Sequence, residues 1–235
     1  MSEVKSDVYS YDEVPYESWP YSQSHPDRLA TMMNAGFQLA VHAIGDAANR
    51  EVIDFIQRAA PPGSRPRIEH AQVMAPADIP RMAGAGIIAS MQPAHAVEDM
   101  GWAETRVGPE RVRGAYAWRS MRLAGVPLVF SSDLPGSGYD LFYGLHSAVT
   151  RQDKQEKPPG GWHPEQTVTM DEALRGYSRW AAYAAFRESQ TGIIAPGRWA
   201  DLTVVSLDPF NTPVQSLATG SIVMTIVNGK IVYEK

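Results

Sequence analysis

Four short apolar runs recur along this chain, and each is followed by a segment of helical period. The runs occupy residues 37–44 (Phe37-Gln-Leu-Ala-Val-His-Ala-Ile), 67–71, 87–92 and 128–133. Each is too short for a buried helix and bounded by Gly, Pro or Asp, so each reads as a buried strand. Helical spacing is expected over residues 28–35, 47–60, 76–85, a stretch ending near Ala124, 141–150 and 170–187. Asp46 is placed to cap the second of these, and Pro61-Pro-Gly ends it. Strands alternating with helices of this length predict successive βα units and a parallel sheet, either doubly wound or part of a (β/α)8 barrel.

The chain divides into three by character. Residues 1–27 are polar, rich in Tyr, Ser and Pro, and without a period. Residues 28–190 carry the βα rhythm. Residues 191–235 are β-rich, with Asn228-Gly229 between apolar runs as a hairpin signal.

Composition narrows the function. The 235 residues carry a formal net charge of −5 and no basic stripe, which argues against nucleic acid as a partner. No apolar run reaches the roughly 18 residues of a membrane span, and the first residues have no apolar signal region. With no cysteine, disulfides and thiolate metal sites are excluded, and the cytoplasm is the expected compartment. No G-x-G-x-x-G follows the first strand and no P-loop occurs, so nucleotide binding loses its main support.

Three polar residues stand at the carboxyl ends of the first, second and fourth strands: His42, His70 and Asp133. In parallel α/β folds that end of the sheet is where sites are built. Imidazole nitrogen and carboxylate oxygen are both ordinary zinc ligands, and a carboxylate can take a proton from water acidified by a metal. Taken singly, each residue has a structural alternative; together on one series of strands they form a candidate metal site. His95 lies just past the third strand, either toward substrate or as a loop histidine. Glu69 is expected to point away from the site by strand alternation. His25, His146 and His163 lack strand-end positions and read as surface or structural residues.

Val41-His-Ala-Ile-Gly-Asp, Ile68-Glu-His-Ala-Gln, Ser90-Met-Gln-Pro-Ala-His and Ser131-Ser-Asp-Leu-Pro, in this order, resemble the amidohydrolase superfamily, nearest to the branch with N-substituted formamide deformylase. The tail agrees. Thr191-Gly-Ile-Ile-Ala-Pro-Gly-Arg-Trp-Ala-Asp resembles the segment leaving the barrel in that family, and Val227-Asn-Gly-Lys-Ile-Val-Tyr its closing hairpin. The resemblance implies the C-terminal half of a (β/α)8 barrel, strands five to eight, plus part of a small β-sandwich. It further implies one or two divalent metals, zinc first, with His42, His70 and Asp133 as ligands. Asp133 would also be the catalytic proton shuttle and His95 a substrate-binding residue, the substrate being a small amide or formamide. The family's His-x-His pair on the first barrel strand does not occur in this sequence. The expectation is therefore a fragment of a longer enzyme. The alternatives are a chain completed by a second copy, or a non-catalytic half-barrel serving as a binding or assembly unit.

Overall fold

A computed structural model describes residues 26–136 and 138–235. The expected segment 1–27 and His25 therefore lie almost wholly outside the described residues. The described chain forms two compact units. One runs to Met91 and adds Trp102–Leu128; the other comprises Gln92–Gly101 and Val129–Lys235.

The first unit opens with α1 (Pro26–Asn34), followed by β1 (Ala40–Ala43), α2 (Asp46–Ala59), β2 (Arg67–His70), α3 (Ile79–Gly84) and β3 (Ile88–Met91). Strands β1 and β2 pair in parallel, Ala40 opposite Arg67 through Ala43 opposite His70. Strand β2 pairs with β3 in the same sense, Arg67 opposite Ile88. The Ala89 amide then donates to the Pro127 carbonyl at 2.9 Å, which leads into β4 (Leu128–Phe130) and completes the order β1-β2-β3-β4. The expected α/β character and parallel sheet are thus present. The strands are shorter than the apolar runs because the run ends turn out of the sheet.

The core of this unit follows from the helical and strand periods. Ile53 and Ile56 of α2, Ile68 of β2, Met82 of α3 and Ile88 of β3 are all essentially inaccessible to solvent. Trp118 and Met121 of α6 (Trp118–Leu123) join them. Burying side chains of this size contributes on the order of 1.5–3 kcal/mol each.

Three expectations need correction. Asp46 is not the cap of α2: Gly45 holds the cap position and Asp46 is the first helical residue. It accepts from the Ala47 amide at 3.0 Å and pairs with Arg111 Nε at 3.3 Å. The acid serves the first turn and an ion pair, not the cap geometry, because the chain is already helical at its own position. The helix expected from Pro76 starts at Ile79, with Pro80 in its first turn. The long segment before Ala124, expected to be helical toward its end, is helical earlier as well. It contains α4 (Pro93–Asp99) and α5 (Ala103–Arg111), the latter kinked at Gly108, where φ is +80° just before Pro109.

In the second unit, α7 (Leu141–Thr150) is capped by Asp140, whose Oδ1 accepts from the Phe142 and Tyr143 amides at 3.1 Å each. Helix α8 (Met170–Tyr177) begins with a capping box between Thr169 and Glu172. The single helix expected over 170–187 breaks at Ser178 (φ −131°, ψ −88°), and α9 (Arg179–Ala184) follows. Strands β5 (Leu202–Val205), β6 (Ile222–Val227) and β7 (Lys230–Glu234) form an antiparallel sheet. The β6–β7 hairpin turns at Asn228 and Gly229, with φ of +48° and +75°. Positive φ at both positions is what a two-residue primed turn requires, and Asn-Gly accepts it at least cost.

One side chain ties the exits of β1 and β2 together. Asn49, fully buried in α2, points its Nδ2 at the carbonyls of Ile44 (3.2 Å), Gly45 (3.0 Å) and Val73 (3.1 Å). The Ile44 and Gly45 carbonyls also accept from the Val73 and Asn49 amides, so removing the side-chain donor falls chiefly on the Val73 carbonyl, a cost of about 1–3 kcal/mol. Asn49→Ala is therefore expected to lower the unfolding free energy by about that amount in urea denaturation. A midpoint equal to wild type would show that the bridge carries no stability.

Candidate metal centre

In the first unit, His42 is the third residue of β1 and is exposed, while His70 ends β2 and is 2% exposed. His42 Nδ1 lies 3.0 Å from His70 Nε2. Strand alternation alone does not produce this approach. Register sets His42 opposite Glu69, so those two share a face and His70 belongs to the other. His70, however, has φ of +73° and Ala71 follows at +45°. This left-handed turn at the strand end breaks the alternation and swings the His70 ring beside His42. Glu69 is engaged elsewhere: it accepts from Arg67 Nε at 2.9 Å, and Arg67 also donates to Gln38 at 2.8 Å. Glu69 is thus kept from the histidines by its arginine, not by the alternation expected from sequence.

In the second unit, Asp133 lies three residues beyond β4 with φ of +58°. Its carbonyl accepts from the Gly136 amide at 2.6 Å, closing a tight turn. His95 is not a loop residue. It sits in the first turn of α4, about half-buried, with Nε2 3.9 Å from Asp133 Oδ2.

These separations test whether a metal fits. Two ligands at about 2.0–2.1 Å from a tetrahedral ion lie about 3.3 Å apart. The His42–His70 nitrogens at 3.0 Å are close to that value. The His95–Asp133 pair at 3.9 Å is too long for a hydrogen bond and leaves room for an ion or a water between its atoms. Nitrogen and oxygen donors suit zinc and its neighbours in the divalent series. The His42–His70 pair comes near the spacing of two ligands on one divalent ion, and the His95–Asp133 pair exceeds it.

The other sequence-noted histidines have different partners. His146 is buried in α7 with both ring nitrogens against carbonyls, Val214 at 3.1 Å and Asp153 at 3.2 Å, a structural fastening. His163 Nδ1 lies 3.4 Å from a Glu165 carboxylate oxygen. Trp118 is wholly buried, whereas Trp102 and Trp199 are exposed. Sequence reasoning missed the Asp46–Arg111 pair, Asn49, and a hydrogen bond from Gln92 to Ser131. Only their places beside strand ends signalled them. Near β4, burial raises the Tyr177 phenol well above its ordinary pKa, with the Asp140 charge adding to the effect. Its ring packs 5.8 Å from that of Phe130. Tyr177 therefore stays neutral.

The amidohydrolase family model matches residues 6–233, so the chain belongs to the amidohydrolase family. It is 33% identical over 230 residues to the YtcJ protein of Bacillus subtilis, covering 94% of this chain and 44% of that protein. It is 31% identical over 223 residues to N-substituted formamide deformylase of Arthrobacter pascens, covering 92% of this chain and 40% of that enzyme. The chain thus spans well under half the length of these relatives. Among solved structures it resembles a metal-dependent hydrolase of Pyrococcus horikoshii, with TM-score 0.70 and 25% identity over 82% of this chain and 39% of the other. It shares its fold with atrazine chlorohydrolase TrzN of Arthrobacter aurescens in complex with zinc, with TM-score 0.62 and 21% identity over 89% of this chain and 47% of that one.

Gly136 sets the space around Asp133. A Cβ there would lie 3.0 Å from the Asp133 carbonyl oxygen and 3.1 Å from Oδ2. Gly136→Ala is expected to displace the carboxylate and weaken zinc binding by about tenfold, in the range for disturbed support of a metal ligand. Competition with a chromogenic chelator measures this; an unchanged affinity would show that the carboxylate does not serve the ion.

Proposed function

We propose that this chain is the metal-binding part of a hydrolase that cleaves a C–N bond of an amide or formamide-like small molecule. His42, His70 and Asp133 hold a divalent ion, zinc, and His95 faces the substrate. The observation that carries the reading is the 3.0 Å approach of the His42 and His70 ring nitrogens, made by a left-handed turn at the end of a strand. A non-glycine residue held in that conformation costs on the order of 1–3 kcal/mol, and such turns concentrate at functional sites.

A divalent ion bound there supplies Lewis acidity, which polarises a carbonyl and lowers the pKa of water. Asp133 accepts the proton of the attacking water and returns it to the nitrogen as the C–N bond breaks, leaving a carboxylic or formic acid and an amine. In this reading His95 donates to the carbonyl oxygen as negative charge builds on it, and its 3.9 Å distance from Asp133 supports the role. Residues 28–190 are the barrel part in this proposal and 191–235 the sandwich part. The rest of the (β/α)8 barrel comes from an N-terminal half or a second copy, and the reaction is cytoplasmic. The short span of the relatives covered supports a site completed from elsewhere.

Elemental mass spectrometry on protein purified without chelator or histidine tag tests the reading. About one zinc per chain is expected, as for a catalytic zinc site, and lost in His42→Ala and His70→Ala. Asp133→Asn should reduce hydrolysis of an N-substituted formamide by about 100-fold or more, the contribution of a positioned proton-transfer group. No bound metal after zinc addition, or full activity in Asp133→Asn, would sink the proposal.

A further inference from the structure

Gln92 is 3% exposed and directly follows β3, and its Nε2 donates to Ser131 Oγ at 3.1 Å. The two residues are 39 apart in sequence. Ser131 directly follows β4. Each end of this bond stands next to a residue of the candidate centre. His95 is one helical turn beyond Gln92, and its amide donates to the Gln92 carbonyl at 3.2 Å. Asp133 is two residues beyond Ser131.

We propose that Gln92 and Ser131 are positioning residues whose hydrogen bond sets the separation of His95 and Asp133; the inference rests on the metal-centre reading above. An apolar pair of similar volume would bury as well. A hydrogen bond from the buried Gln92 amide to the part-buried Ser131 hydroxyl instead fixes distance and direction, because misalignment costs that bond. Pro93, which opens α4 with a fixed φ, carries that orientation into the turn that holds His95. On the other side, only Ser132 separates Ser131 from Asp133, where the turn closed by the Gly136 amide begins. The strut thus runs from the start of α4 to the loop after β4, with one working side chain hanging from each end.

Cobalt(II) titration of the intact chain, followed by its d–d absorption, tests the proposal. Ser131→Ala and Gln92→Met are each expected to weaken cobalt binding by about 10–100-fold and to alter the band shape, as loss of outer support does in other metal sites. The double variant should lose no more than the weaker-binding single variant, since both remove one interaction. Ser131→Thr, which keeps the hydroxyl, should bind as wild type. Wild-type affinity in both single variants, or losses that multiply in the double variant, would overturn the strut. A wild-type chain that takes up no cobalt would overturn the metal-centre reading. Crystal structures of wild type and Ser131→Ala decide the strut separately: a His95–Asp133 separation that stays near 3.9 Å without the hydroxyl refutes it.

Discussion

Parallel pairing of β1 with β2 governs the first unit. Because the strands run the same way, both carboxyl ends emerge on one edge, and whatever follows them gathers there. The strands are four residues each, so a polar residue one or two places past the apolar core already stands at that edge. Asn49 makes the edge rigid: its amide reaches the carbonyls after β1 and the one after β2. The buried face of α2, with Ile53 and Ile56, holds Asn49 at that depth. A helix dictated by apolar spacing thereby fixes the positions of two histidines that lie outside it.

The candidate centre is made of departures from regular geometry. His70 and Asp133 both have positive φ, which non-glycine residues adopt at some cost. At His70 the departure accompanies the approach of its buried ring to His42. At Asp133 it sends the chain into the tight turn closed by Gly136. Asp and His enter this region more readily than most side chains but less freely than glycine, so the surrounding packing and hydrogen bonds help to hold it. Buried Gln92 and its bond to Ser131 are part of that support in the second unit.

Much of the fold was legible in the chain. Each apolar run became a strand, each helical period a helix or a pair of helices, and Asn228-Gly229 a hairpin turn. His42, His70 and Asp133 could be singled out because chemistry-bearing residues at strand ends have no packing role to explain them. Less was legible where local rules compete. No helix is expected from the sequence over residues 93–117, yet α4 and α5 form there because a proline at a helix start is favourable and Gly108 absorbs the kink before Pro109. The break at Ser178 gave no signal, since residues 170–187 keep their apolar spacing through it.

The sequence by itself determined the alternation of strands and helices, the family and the residue types available to a metal, because these depend on periodicity and on local motifs. Only the tertiary structure decided which of those residues meet. His42 meets His70 instead of Glu69 because a backbone turn overrides strand alternation, and Glu69 is held by Arg67. His95 lies 3.9 Å from Asp133 across 38 positions of sequence, beside a side-chain hydrogen bond from Gln92 after β3 to Ser131 after β4. Distances of this kind arise from long-range hydrogen bonds and positive-φ turns, and no period in the chain encodes them.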